Sequence, residues 1–526
     1  MFIEASEISR GATIHADVCV VGAGPAGLTL ARELTSSSRE ICVLESGGFE
    51  PELETQAIAQ GGNVGLPYYP VDANRQRAFG GTLRLWAGWC RPLDEIDFEQ
   101  RSWVPNSGWP MTRASLWPYY ERAHEVLGLG PCDYDVSRWE KSLNVARIPL
   151  PETGLVTNLY HMAEPSYLAR TSRDLLQTDA NVRVLLHATV VEIEVDDSAR
   201  SVTRLRVCRL GGNRFWVQAR EYVLAAGGIE NARLLLASNR QVGNGLGNEN
   251  DLVGRYFMEH VHFPLGRIHL SNAESVAPSL YFRPGAQVIA RLFLSRKIQE
   301  RQGILNYNVM INPMHSGLGP RLARRLKRVA LRLDSAAVRN PFMAYLTRRF
   351  LGRAAAAAYR SGLGLGAPCA SRFLSLSHTL EQAPNPASRI TLGDERDALG
   401  IRRVQVDWET TPLDERTASR ARAILGEEFA HAGIGVLEYD PEEDETAWPP
   451  PPLQGLRGHH MGTTRMHDDP RKGVVDANCR VHSLSNLYVA GSSVFPTSGA
   501  GTPTVTIVAL AAKLADHLKR TRHESA

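Results

Sequence analysis

Three glycines, Gly22, Gly24 and Gly27, stand at the spacing G-x-G-x-x-G, and an acid, Glu45, follows Gly22 by 23 residues. The first glycine permits a tight turn. The second lets the backbone approach a pyrophosphate, and the third lets a helix pack closely on a strand. A helix starting here offers unpaired N–H groups and a partial positive charge to phosphates. Glu45 closes the next apolar run, where a carboxylate can hold a ribose hydroxyl. The same carboxylate repels a ribose phosphate, which disfavours NADP. The fingerprint lies almost at the N-terminus and its matching segments lie far downstream, an arrangement that favours FAD over NAD.

The elements that must carry these residues follow from the surrounding pattern. His15 to Gly48 reads as strand, glycine turn, helix and strand. A long Gly-, Pro- and aromatic-rich segment follows, to about Asp133. Asn181–Asp197 alternates apolar and polar residues, and two further runs continue it as a meander. Gly227 and Gly228 make a second glycine turn, directly before the helical pattern ENARLLLAS. The middle of the chain mixes strands and helices without a nucleotide signature. After the stiff run WPPPPLQ (Trp448 to Gln454) the chain returns to strand, turn and helix. We expect an α/β protein with a Rossmann-like FAD-binding domain built from 1–262 and 455–526, and an α+β substrate cap at 263–454.

Composition sets the bounds. The 526 residues, 43% of them hydrophobic, can fill the cores of two to four domains. No run of about 18 uncharged apolar residues predicts a membrane span. The first residues lack the basic and apolar regions of a secretory signal, and a cytoplasmic location is expected. Seven cysteines are scattered without a C-x-x-C pair, so a reduced protein with no structural metal site is expected. The net charge of +3 is uneven, because 313–370 carries eleven Lys or Arg against one acid, Asp334. Leu and Val at helical spacing between those arginines leave two readings open, a basic helix against a membrane or acidic partner and a solvated helical insert. Nothing resembles a nucleic-acid-binding motif.

Six ordered blocks carry a resemblance: the glycine fingerprint, FGGTLRLWAGW, SGWPMT, GGIENARLLLAS, VGRYFMEH and GHHMGTTRM…NLYVAGSSVFPTSGAGTPT. Together they resemble the glucose–methanol–choline (GMC) oxidoreductases, nearest the branch of pyranose oxidase and the fructose and gluconate dehydrogenase large subunits. The resemblance implies bound FAD and alcohol oxidation by hydride transfer, on a hydroxyl of a sugar, glycoside or polyol. It implies oxygen or a quinone- or dye-like electron acceptor. Two rival functions exist on this fold: a lyase that keeps FAD as structure, and a flavoprotein subunit serving a cytochrome.

By position, His459 falls on the family's catalytic histidine, where an imidazole accepts the hydroxyl proton. Its neighbour His460 either contacts substrate or packs in the core, and no metal site is expected from the pair. Where relatives pair a histidine or asparagine with the catalytic histidine, this chain has Thr502. Either a hydroxyl partners His459 or another side chain does. Threonine before Pro503 is also suited to capping a helix. Where some relatives attach FAD through a histidine, Leu85 stands, so non-covalent FAD is implied. Gly80, Gly81 and Thr82 are placed along the cofactor, as are Gly491 and Ser492. Pro503 and Thr504 begin a helix facing the flavin. Val190 and Val191 match backbone contacts to adenine, or are plain strand core. Trp86, Trp89 and Trp109 read as packing before substrate platforms.

Overall fold

Thr13–Val21 is the central strand of the first sheet, and its buried end, Val18–Val21, is a continuous apolar run. Such a run suits a parallel strand covered on both faces. The computed structural model describes residues 1–35, 37–263, 266–271, 280–281, 286–313, 373–439, 448 and 458–521. The basic segment beyond Pro313 and the proline run after Trp448 lie outside these residues.

The first sheet runs in the order Phe2–Glu4, Val182–Leu186, Ile41–Leu44, Thr13–Val21, Arg214–Leu224, Val202–Cys208, Thr189–Val195, with Leu487–Val489 also paired to Arg214–Leu224. Its first five strands are parallel, and the last two complete an antiparallel meander. Leu487–Val489 joins in parallel, so the C-terminal part of the chain completes the sheet begun by the N-terminal part. The helix Pro25–Leu34 follows the glycine loop and packs against the last helix, Thr504–Thr521.

The second sheet is antiparallel, in the order Gly435–Glu438, Arg267–Leu270, Phe373–Leu380, Tyr307–Pro313, Val288–Leu294, Leu155–Met162, Trp89–Cys90. Strands from 89–90 and 155–162 therefore share a sheet with strands from 267–438. Period-two alternation sorts its faces. Leu374, Leu376, Leu292 and Ala290 join a core with Ala418, Ala421, Ile424 and Phe429 of the helix Pro412–His431. Arg291, Met310, Asn312, Ser375 and Ser377 point to the other face and line a cavity. A small third sheet joins Arg389–Arg396, Arg402–Asp407 and Gly61–Asn63. No helix among the described residues is long and apolar enough to cross a membrane.

Candidate functional site

A cavity of about 790 Å³ joins the first sheet to the polar face of the second. That is the size of a cofactor or ligand pocket. Gly22 and Gly24 line it, with Pro25, Ala26, Glu45, Ser46, Thr189 and Val190. Gly81, Thr82, Leu85, Trp86 and Trp89 also line it, as do His459, His460, Gly491, Ser492, Thr502, Pro503 and Thr504.

The glycine loop meets its steric expectations. A Cβ on Gly27 would stand 1.8 Å from the Gly22 carbonyl oxygen, so Gly27 shapes the loop from behind the cavity wall. A Cβ on Gly24 would meet nothing within 4 Å, so its backbone is open to close approach. Gly24 is the N-cap of Pro25–Leu34 and supplies no side-chain cap, which leaves first-turn N–H groups for an anion. Glu45 accepts hydrogen bonds from Ala23 N at 2.9 Å and Gly47 N at 3.0 Å, which orient its carboxylate. Burial pushes this carboxyl up, opposed by those backbone N–H groups and by the charge of Arg77. Gly80 adopts φ +91° and turns the chain so that Gly81 packs on Gly24. These donors and small residues fit a dinucleotide.

Several differences from expectation have local causes. Val190 lines the cavity and Val191, the extra residue where the strand pairing shifts register, does not. Trp109 is buried between Phe98 and Phe495 and donates Nε1–H to Thr497 Oγ1 at 2.8 Å, so it is packing. Asn74, Arg75, Gln76 and Arg77 line the cavity without any motif having marked them. Arg75 and Arg77 both pair with Glu230, at the start of the helix Glu230–Ala237. The charges of Arg77, Arg233 and Arg75 overcome burial and hold Glu230 well below the usual carboxylate range.

The histidines are positioned by an antiparallel bridge between Met258 and Met461, whose N–H and C=O groups exchange two 3.0 Å hydrogen bonds. Two residues along from that pair, on the same side, His260 comes opposite His459. Their Nδ1 atoms lie 2.8 Å apart. His260 Nε2 lies 2.8 Å from the Gly499 carbonyl oxygen, which can only accept, so Nε2 carries the proton. In neutral His260, Nδ1 is then an acceptor, and His459 Nδ1–H must donate to it. His459 Nε2 is left as the lone-pair nitrogen.

Glu259 holds this arrangement. Its Oε1 accepts from His459 N at 2.6 Å and His260 N at 3.0 Å, and its Oε2 accepts from Tyr68 OH at 2.9 Å. Burial first, and then the charge of Glu259, raise the Tyr68 hydroxyl far above its ordinary range, so it stays a donor. His460 differs from its neighbour. It stacks on Phe257 with centroids 5.9 Å apart, and burial followed by the charge of Arg75 lowers its pKa to about 3. Such an imidazole stays neutral and is a poor proton acceptor. His260, His262 and His459 bring ring nitrogens within 4.8 Å of one another, a spacing a metal ion could use. Here His260 and His459 bond to each other, and His262 Nδ1 lies 3.0 Å from Thr379 Oγ1.

Thr502 does not meet His459 through its hydroxyl. Oγ1 donates to the Trp89 carbonyl at 2.7 Å and ties the start of the last helix to the second sheet. Thr502→Val should therefore cost about one hydrogen bond of stability, roughly 0.5–1.5 kcal/mol. Flavin reduction should stay within about 10-fold of wild type. Melting temperature and single-turnover reduction on the same variant check this. A loss as deep as that of a missing base would place the hydroxyl in the chemistry.

Residues 17–291 match the family described as FAD dependent oxidoreductase, and residues 384–511 match the GMC oxidoreductase family. A 2-methyl-1,2-propanediol dehydrogenase of Mycolicibacterium austroafricanum is 25% identical, over 96% of this chain and 95% of its own. The fructose dehydrogenase large subunit of Gluconobacter japonicus is 24% identical, over 96% and 98%. The crystal structure of pyridoxine 4-oxidase from Mesorbium loti shares the fold, with a TM-score of 0.54 at 17% identity, covering 95% of this chain and 98% of its own.

Proposed function

The chain belongs to the FAD-dependent GMC oxidoreductases, and from that premise we propose that it oxidises an alcohol hydroxyl of a sugar, glycoside or polyol, with His459 as the base. The observation that carries this reading is the hydrogen-bonded relay from Gly499 through His260, which makes His459 Nε2 a proton acceptor in the wall of the cavity. The two full-length relatives, named for a diol and for a sugar, support the substrate class.

In this reading His459 Nε2 accepts the hydroxyl proton as the carbinol C–H bond breaks. Bound FAD would supply the acceptor for the hydride. Glu259 and its three hydrogen bonds keep the His459 and His260 backbones in register while the proton moves. His460, neutral and stacked, shapes the wall and leaves the proton to its neighbour. Gly22, Gly24 and the start of Pro25–Leu34 would hold the pyrophosphate, Glu45 a ribose hydroxyl, and Thr189 and Val190 the adenine side. Gly81, Thr82, Gly491 and Ser492 give close backbone approach. Pro503 and Thr504 present a helix N-terminus that favours developing negative charge on the flavin. Leu85, in the same wall, has no nucleophile, which supports non-covalent attachment.

We assign most of 1–262 and 455–526 to the cofactor-binding domain, and 263–454 to a cap whose sheet is completed by the strands Trp89–Cys90 and Leu155–Met162. The six described cysteines are free thiols, which supports a reducing, cytoplasmic setting. Oxygen or a quinone-like acceptor completes turnover.

Anaerobic addition of a diol and sugar panel to purified protein tests the reading. A substrate should bleach the yellow flavin, and acid precipitation should then release that flavin to the supernatant. Flavin left oxidised by every alcohol, or retained on the denatured chain, would overturn the corresponding part of the proposal.

A further inference from the structure

Arg291 is a charge that the reaction above does not use. It lies on Val288–Leu294, on the cavity face of the second sheet, and is only 3% exposed. Four other buried arginines have acids: Arg75 meets Glu230, Arg91 meets Asp94, Arg101 meets Glu381 and Arg233 meets Asp397, whereas Arg465, outside the cavity lining, lies over Tyr256. Arg291 meets no carboxylate among the described residues. Its guanidinium lies 4.2 Å from the Trp89 ring centroid and 4.6 Å from that of Tyr160. One N–H reaches Asn308 Oδ1 at 2.9 Å. Another faces Met310 Sδ at 3.9 Å, a weak acceptor, and Nε has no hydrogen-bond partner among the described residues. Two aromatic faces and one amide are thin compensation for a buried cation.

Its position relative to His459 follows from two struts. Asn308 Nδ2 donates to the Ala500 carbonyl at 2.6 Å, and His260 Nε2 donates to the Gly499 carbonyl at 2.8 Å. The base and the cation are thus anchored on consecutive residues of one loop, and both line the same cavity. Among the described residues beside Arg291, Asn312, Ser375 and Ser377 are neutral and offer hydrogen bonds, and Arg91, over the Phe293 ring, is paired with Asp94.

We propose that Arg291 is a specificity-determining residue that receives a carboxylate on the alcohol substrate, which makes the preferred substrate class uronic acids and their glycosides. The planar guanidinium matches a carboxylate through two parallel N–H groups. One cation without an acid among the described residues suits one negative charge better than a phosphate dianion. The inference rests on the alcohol-oxidising reading and narrows its substrate.

The test uses the holoenzyme with methyl glucoside, methyl glucuronoside and glucose 6-phosphate. Equilibrium binding is followed by tryptophan fluorescence and the flavin spectrum, and oxidation by anaerobic flavin reduction. The glucuronoside should bind at least about 10-fold more tightly than the glucoside. Arg291→Gln should erase that ratio, and Arg291→Lys should keep part of it through charge without the fork. Yellow flavin content and melting temperature confirm that the variants fold. Equal affinities in wild type, a preference that survives Arg291→Gln, or a stronger preference for the phosphate ester would each overturn the proposal. Failure of every alcohol to reduce the flavin would instead overturn the parent reading, because the binding ratio does not depend on turnover.

Discussion

His459→Ala should keep its FAD and its fold and lose flavin reduction by about 100- to 10,000-fold, the usual cost of removing a general base. The size follows from the site. The neighbouring imidazole cannot replace it: burial and Arg75 lower the pKa of His460 to about 3, so it holds a proton too weakly to serve. His260 cannot replace it either, because it does not line the cavity and its Nε2–H is committed to the Gly499 carbonyl. Cofactor retention is expected because the glycine loop, Glu45 and the start of the first helix do not depend on His459 for any hydrogen bond described above. Rapid-mixing measurement of flavin reduction under anaerobic conditions reads the chemical step apart from reoxidation. A His459→Ala protein that reduces its flavin at the wild-type rate would remove this histidine from the mechanism.

His260→Phe should give the next largest loss. Phenylalanine keeps a ring edge against His459, a contact now made at 89° with centroids 4.9 Å apart. It removes the acceptor for His459 Nδ1–H. The wrong tautomer of His459 then becomes accessible, and the imidazolium that forms on proton transfer loses a charge-assisted hydrogen bond. Such a bond contributes about 1.5–3 kcal/mol, or roughly 10- to 150-fold in rate. His260→Asn provides the control, because its amide oxygen can stand where Nδ1 stood and accept the same proton. The limiting reduction rate should fall in the order wild type, His260→Asn, His260→Phe, with substrate dissociation constants changing far less. Equal losses in the two variants would mean that His260 only fills space.

The two predictions differ in how far the sequence alone foresaw them. His459 could be named from a motif, H-x-M-G-T, in a chain with five other blocks in order. His260 ended one of those blocks, VGRYFMEH, yet nothing in its spacing tied it to a residue 199 positions away. Thr502 occupied the expected partner position, and the open alternative, another side chain, is the one the geometry supports.

What the sequence determined by itself is the part of the site governed by short-range backbone requirements. Gly22, Gly24 and Gly27 can be recognised because a tight turn, a backbone open to a phosphate and a close helix–loop contact are requirements of one short segment, and a Cβ on Gly27 would meet the Gly22 carbonyl five residues away. Glu45 is legible because it ends the strand that must follow. Alternation in Phe373–Leu380 likewise marks a two-faced strand from its residues alone. Only the tertiary structure decided which chains of hydrogen bonds meet. The Met258–Met461 bridge sets His260 opposite His459, and Val190 rather than Val191 comes to line the cavity. Thr502 is drawn to the Trp89 carbonyl, and Arg291 comes to lie between two aromatic rings with no acid among the described residues. The physical reason is that a side chain's partner depends on the register between segments far apart in sequence, and one residue of slip moves every side chain to the other face.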